Sequence, residues 1–277
     1  MTENAATGAH RLFALVRALA DAPAQGARVT HLARQTGLTP ATAHRLLQAL
    51  VAEGMVEQDT RNKHYRLGIE LFCLAARSGH AGSFIQQCRP VLLRLCASLG
   101  DTVFLMVRSG FDAVCVDRAE GPFPIRSFSR DIGGRVALGV GQAAMSILAF
   151  QPAAEREEII RFNLSRLREY GVYDEVYLRT EIDRVRAQGF AARNTGLLEG
   201  MAGVAVPIID GAGNAVAALS VGSLADRLRP DRLPTVVELL KREATQVGAA
   251  VNPFDVALRF PLRGQQPPAA SEPPQLG

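Results

Sequence analysis

Thirteen residues near the N-terminus, Leu38-Thr39-Pro40-Ala41-Thr42-Ala43-His44-Arg45-Leu46-Leu47-Gln48-Ala49-Leu50, restrict the fold more than any other stretch. Thr39 can cap a helix, because its hydroxyl can accept a hydrogen bond from a free amide of the first turn. Pro40 suits the first helical position, where its missing N–H is not needed and its φ is already right. Ala43, Leu46, Leu47 and Leu50 recur at helical spacing and form one apolar stripe. The opposite face carries Ala41, Thr42, His44, Arg45 and Gln48, which are small, hydroxylic, amide or basic. No Asp or Glu occurs from Ala22 to Ala52. A capped helix with a short polar front and an acid-free approach suits a DNA major groove.

The flanks extend this reading. Val29-Thr30 predicts a second short helix capped by Thr30, with Leu32 and Ala33 inward, and Gly37 supplies the left-handed residue that ends it. Helix, glycine turn and capped helix make a helix-turn-helix. Gly54–Gln58, Asp59–Asn62 and Lys63–Leu67 then predict strand, turn and strand, a hairpin wing with Arg61 and Lys63 at its tip for phosphates. One amphipathic helix is usually only a surface helix, His44 is equally suited to solvent, and Gln48 to the flank of a groove. The whole series within about 60 residues is what points to DNA. The expected DNA face comprises Thr30, Thr39, Pro40, Ala41, Thr42, His44, Arg45, Gln48, Arg61 and Lys63.

His31-Leu32-Ala33 through Thr36-Gly37-Leu38, Thr42 with His44-Arg45-Leu46-Leu47, then Leu50, Gly54 and Tyr65-Arg66-Leu67-Gly68 carry a resemblance. This pattern resembles the winged helix-turn-helix of IclR-type bacterial transcriptional regulators. The resemblance covers about residues 10–250, specific in the N-terminal part and looser beyond it. It implies an effector-binding, GAF-like C-terminal domain.

A length of 277 residues suggests two domains. Residues 1–9 are small and polar and read as a flexible N-terminus; 10–68 form the winged helix-turn-helix, opened by a helix with Leu12, Leu15, Val16 and Leu19 inward. Residues 69–83 hold a linker helix whose Ile69, Leu71, Phe72, Leu74 and Ala75 put apolar groups on several faces. That fits packing on its own effector domain, or pairing with a second chain, the reading favoured because half-site readers work as dimers. Residues 84–252 form the second domain: a helix over 84–99, strands over 102–108, 113–119, 125–129, 190–193, 202–209 and 215–220, a central helix cluster, and a last helix over about 233–251. Strand triplets around a helix cluster predict an α+β fold, an antiparallel sheet with helices on one side. Residues 253–277 read as a mostly disordered tail.

Of the net charge of +4, residues 1–69 carry +3, from eight basic and five acidic side chains, so the excess sits where DNA is expected. Cys73, Cys88, Cys96 and Cys115 lie far apart, without metal-ligand spacing, and read as reduced core thiols of a cytoplasmic protein. No apolar run reaches the roughly 18 residues of a membrane helix.

Gly139-Val140-Gly141-Gln142-Ala143-Ala144 matches a G-x-G-x-x-A dinucleotide fingerprint. The strand before it would be only Arg135–Leu138, and a helix, not a second parallel strand, follows, so the βαβ unit is missing. The five histidines end at His80, leaving the second domain no histidine base, and Glu157-Glu158 fits a solvated helix face. The sequence therefore predicts no catalytic residues, no metal site and no cofactor. An NAD(P)-binding enzyme using Gly139–Ala144 and a winged-helix regulator of another family without an effector are the alternatives.

The family resemblance implies the effector site. Residues 135–149 correspond to the family's effector loop and 189–222 to its second pocket segment. Carried across, Gln142 and Ala143 line the site from the loop; Arg193, Met201, Gly203, Ser220 and Gly222 line it from the later strands. Family members often have Gly-x-Gly-Lys-Ala at the loop, where this chain has Gln142-Ala143-Ala144-Met145. Many carry an acid near Asn194-Thr195, and this chain has none, which leaves the ligand's identity open. An Arg at 193 among small neighbours favours a small organic acid, aromatic acids of catabolism included. The expected protein is an effector-controlled regulator binding double-stranded operator DNA as a homodimer or tetramer, with no membrane partner.

Overall fold

The N-terminal part folds on the apolar stripes of three helices. Helix α1 spans Thr2–Ala20, followed by strand β1 (Ala27–Arg28), α2 (Val29–Thr36), α3 (Pro40–Ala52), β2 (Val56–Gln58), β3 (His64–Leu67) and α4 (Ile69–Arg77). The computed structural model describes residues 2–23, 25–77, 80–123, 132–169, 174–193 and 200–250, and divides into two units, residues 1–79 and 80–277. In the first unit Leu15 and Leu19 of α1, Leu32 of α2, and Leu47 and Leu50 of α3 close on Val56 and Tyr65 of the wing, all buried.

Three features differ from the sequence reading. Residues 2–9, expected to be loose, form the first turns of α1. The wing is three-stranded, because β1 pairs antiparallel with β3, Ala27 opposite Tyr65 and Arg28 opposite His64. Two residues are too few to leave a period in the sequence. Thr30 is not the cap of α2: Arg28 occupies that position, without a side-chain cap bond, and Thr30 lies within the first turn. Gly37 does end the helix, at φ 68°, with the amide of Leu38 returning to the Ala33 carbonyl at 2.9 Å.

The second unit opens with α5 (His80–Leu99) and continues through β4 (Thr102–Ser109), β5 (Asp112–Ala119), β6 (Arg135–Ala137), α6 (Gly141–Ala149), α7 (Ala153–Glu169), α8 (Glu175–Gln188), β7 (Ala191–Arg193), β8 (Met201–Ile209), β9 (Ala215–Leu224) and α9 (Leu233–Ala250). The strands form one antiparallel sheet in the order β6-β5-β4-β9-β8-β7. The strand expected over 125–129 and the tail 253–277 lie outside the described residues.

Helices cover both faces of this sheet, not one. Val103, Leu105 and Val107 of β4 join a core with α5 and α9, while Phe104 and Met106 join another with α6, α7 and α8. The run 102–109 is buried at every position, the pattern of a strand covered on both sides. Two buried acids are held by arginines. Asp101, fully buried, accepts from Ser223 Oγ at 2.8 Å and Arg227 Nε at 3.0 Å, and its second oxygen lies 2.7 Å from Arg232 Nη2. Buried Glu243 of α9 pairs with Arg94 of α5 at 2.6 Å.

Candidate functional site

The first candidate site is the exposed front of α3. Thr39 adopts extended geometry, and its Oγ1 accepts from the Thr42 amide at 3.2 Å, as capping requires. The same oxygen donates to Thr42 Oγ1 at 2.9 Å, so the two hydroxyls form a small polar cluster at the helix start. Ala43, Leu47 and Leu50 are buried behind; Thr39, Pro40, Ala41, His44 and Arg45 are exposed and Thr42 half-exposed. The free amides of the first turn and Arg45 on the same helix give this end positive potential.

Gln48 has a different surrounding. Its Nε2 donates to Gln58 Oε1 at 3.3 Å and to Tyr65 Oη at 3.1 Å, joining α3 to the wing. No periodicity could have shown this, since both partners come from the hairpin. The wing turn is built on side chains: the Arg61 amide donates to Asp59 Oδ1 at 2.8 Å, and the His64 amide to Asn62 Oδ1 at 2.8 Å. Lys63 sits at φ 60°, a left-handed residue with its side chain exposed beside exposed Arg61. Arg66 pairs across the hairpin with Glu57 at 2.9 Å. Arg28, overlooked in the sequence reading, is exposed next to the wing and opposite His64; its signal was the acid-free stretch itself. Thr30 is exposed on α2.

The second candidate site lies on the α6 side of the sheet. An ideal Cβ on Gly203 would stand 2.8 Å from Gln142 Oε1, so the Gln142 side chain rests directly on that glycine. Gly203 pairs with Gly222 on one side and with Arg193 on the other. Ser220, buried, lies two positions along β9, opposite Ala205, whose carbonyl accepts from Ser146 Oγ of α6 at 3.0 Å. Gln142, Gly203 and Gly222 are thus brought together, with Ala143 next on α6 and Ser220 and Met201 along the same strands. The backbone of Arg193 is placed by its pairing; its side chain and the Asn194-Thr195 segment lie outside the described residues.

The glycine fingerprint has another explanation. β6 is an antiparallel edge strand, so no βαβ crossover carries the loop. Gly139 has φ 107°, and a Cβ there would stand 3.2 Å from Leu178 of α8. The residue is glycine for backbone shape and close packing.

The thiols are buried groups. Cys88, Cys96 and Cys115 are buried and Cys73 is half-buried. Burial first, then the Asp117 carboxylate, pushes the Cys88 thiol up to about 12, far from a reactive thiolate. Among the described residues no group of three or more His, Cys, Asp or Glu could hold a metal ion, and no helix is long and apolar enough to cross a membrane. Glu157 and Glu158 are exposed, as expected of a solvated helix face; Arg179 pairs with Glu157 there at 2.9 and 2.8 Å, and that hydrogen bond holds its carboxyl below the usual range.

Comparison with known proteins agrees with this geometry. Residues 8–60 match the family model described as the IclR helix-turn-helix domain, and residues 80–249 match the one described as bacterial transcriptional regulator IclR C-terminal. The chain is 27% identical over 233 residues to the HTH-type transcriptional regulator BhcR of Paracoccus denitrificans, covering 84% of this chain and 83% of that protein. It is 26% identical over 246 residues to the HTH-type transcriptional regulator KdgR of Escherichia coli K12, covering 88% and 92%. A crystal structure of an IclR homolog complexed with 4-hydroxybenzoate, from Microbacterium hydrocarbonoxydans, superposes with a TM-score of 0.71 at 23% identity, covering 86% of this chain and 97% of that one.

Proposed function

The chain belongs to the IclR family of bacterial transcriptional regulators, and from that premise we propose that α3 reads operator bases while a small organic acid in the second unit controls binding. The family and its matched relatives are regulators, which sets aside the nicotinamide-enzyme alternative.

The observation that supports base reading by α3 is its exposed, acid-free front, fixed by the Thr39 cap over a buried Ala43–Leu47–Leu50 stripe. In this reading Arg45 and Thr42 meet base edges, with Thr39, Pro40, Ala41 and His44 around them. Thr30, Arg28, Arg61 and Lys63 meet phosphates, and Gln48 holds the wing. Arg45→Ala should cost about 1–3 kcal/mol of operator binding and relax preference at one base pair. Lys63→Ala should weaken all sequences alike and reduce the salt slope by about one unit. Gel-shift titration across several salt concentrations checks both, and unchanged operator affinity in Arg45→Ala would overturn the docking.

Dimerisation through α4 fits this reading, because half-sites need paired readers. Ile69 and Leu74 expose 65% and 43% of their surface in the single chain, a poor arrangement for a helix left in water. Leu74→Asp should give a smaller species in light scattering at micromolar concentration; an unchanged dimer or tetramer places the contact elsewhere.

The effector proposal rests on Gln142 lying against Gly203, with Gly222 and Arg193 on either side of it in the sheet. Small residues stand at 143, 203 and 222, with the Gln142 side chain over Gly203 as the group a ligand would contact or displace, and the proposed anchor for a carboxylate is Arg193. Ser220, Met201 and the amides near Ala143 complete the lining. Binding biases two states of differing operator affinity. Arg193→Ala should weaken effector binding about tenfold or more, with operator binding of the free protein intact. Arg193→Lys should restore only part, since a point charge lacks the planar fork. Calorimetry with acids and their amides tests this, 4-hydroxybenzoate included because that relative binds it. Equal affinity for an acid and its amide sinks the carboxylate reading.

A further inference from the structure

A cleft lies on the α5 side of the sheet, the face away from Gln142 and Gly203. Its volume is about 490 Å³, within the roughly 300–1,000 Å³ of small-ligand sites. Arg89, Leu93 and Cys96 line it from one stripe of α5, and Asp117 and Ala119 from the end of β5. Ile132 adds an apolar side chain at the rim.

Asp117 is buried, and its two oxygens have different surroundings. Oδ1 accepts from Arg89 Nη1 and from the Arg118 amide, both at 2.8 Å. Oδ2 is buried too, and has no hydrogen-bond partner. A buried acceptor in that state is uncommon, because the water it gave up has not been replaced. Arg89 is also only half used. Its Nη1 donates to Asp117 and to the Arg118 carbonyl at 2.7 Å, while among the described residues its Nη2 and Nε donate to nothing. An arginine and a carboxylate meeting edge to edge would satisfy each other with two parallel bonds. This pair makes one, which leaves an acceptor on one group and donors on the other.

The surroundings limit what can fill that gap. Arg118 and Glu120, which also line the cleft, pair at 2.7 Å, so its two acids and two arginines balance. Burial holds the Cys96 thiol above the ordinary thiol range, so it adds no charge. A ligand of one sign would carry an unmatched charge into the cleft, whereas a zwitterion adds none. Leu93 and Ile132 are large apolar side chains left exposed beside it, a surface that an apolar ligand group would cover.

We propose that this cleft is a second ligand site, which takes an α-amino acid with an apolar side chain. The ammonium donates to Asp117 Oδ2, and the carboxylate accepts from the unused N–H groups of Arg89. Both charges sit on one carbon, as an acceptor and donors one ion pair apart require. The side chain covers Leu93 and Ile132. Arg193 takes no part, so the site stands apart from the proposed effector pocket.

Calorimetry of the full chain with L-leucine, isopentylamine and 4-methylpentanoate tests this. Leucine should bind, and the amine and the acid, each lacking one charge, should bind about tenfold more weakly or worse. Asp117→Asn should weaken leucine by a similar factor. So should Leu93→Gln with Ile132→Gln, a pair at exposed positions that decides the matter if Asp117→Asn fails to fold. Arg193→Ala should leave leucine binding unchanged. No binding of leucine, methionine or phenylalanine at millimolar concentration overturns the proposal and leaves Asp117 Oδ2 to water. Equal affinity for leucine and the amine overturns it in favour of a simple cation site. Leucine binding that survives the Leu93 and Ile132 substitutions, or that is lost in Arg193→Ala, places the ligand elsewhere and overturns it as well.

Discussion

Asp101→Ala should destabilise the second unit by about 3–5 kcal/mol. Asp101 is fully buried between α5 and β4, and one carboxylate serves three partners: Ser223 Oγ, Arg227 Nε and Arg232 Nη2. Arg232 also donates to the Leu99 carbonyl at 2.7 Å and to the Arg227 carbonyl at 3.0 Å. Arg227 lies over the Phe123 ring at 3.9 Å. Removing the carboxylate leaves a fully buried hydroxyl at Ser223 and two guanidinium groups that are only 29% and 27% exposed. The Coulomb attraction disappears while most of the desolvation cost remains, which is why breaking such a pair costs more than never having it. Asp101→Asn keeps the volume but loses the charge, and should fall between alanine and wild type. Urea unfolding of this unit should show the midpoint lowered with the slope unchanged. A loss under about 1 kcal/mol would show the cluster to be solvated.

The first unit was legible because its determinants are local. A Thr-Pro helix start, a glycine stop and an apolar stripe lie within twenty residues and require no distant partner. The strand pairs 102–109 with 112–119 and 201–209 with 215–224 were legible for the same reason, each closed by a short turn. What escaped depends on contacts between distant segments. The third wing strand is two residues placed by β3, and Gln48 is directed by Tyr65 and Gln58. The covering of both sheet faces follows from α5 and α9 meeting across the chain, which alternation inside one strand cannot report. The pairing of Gln142 with Gly203 is of the same kind: the sequence places a glycine and an amide 61 positions apart, and only the packing of α6 on β8 joins them. Asp101 carried no signal at all, since an acid beside a strand start usually faces water.

Gly68→Ala should unfold or displace the wing and with it the operator-binding face. Gly68 is buried where the chain leaves β3, and its amide donates to the Met55 carbonyl at 2.8 Å. A Cβ there would stand 2.1 Å from the Gly54 carbonyl oxygen, 2.9 Å from the Met55 carbonyl carbon and 3.0 Å from that of Gly54. All three are backbone atoms, so no side chain can rotate aside. The segments must separate by about 1 Å, which costs roughly 1–3 kcal/mol of overpacking plus about 1 kcal/mol for the hydrogen bond that the separation breaks. For a unit of this size that is a fall in melting temperature of about 10 °C or more. The wing is tied to α3 through Gln48 and Tyr65, so the displacement reaches the helix that carries Arg45. Hydrogen exchange should speed up over residues 46–67 and stay unchanged over β4 and β9, while gel shifts lose the operator complex. Gly8→Ala is the control: no atom lies within 4 Å of its Cβ position, and alanine is the better helix former in α1. If Gly68→Ala behaved like Gly8→Ala in exchange and operator binding, the junction between Gly54 and Gly68 would not be what holds the wing against α3.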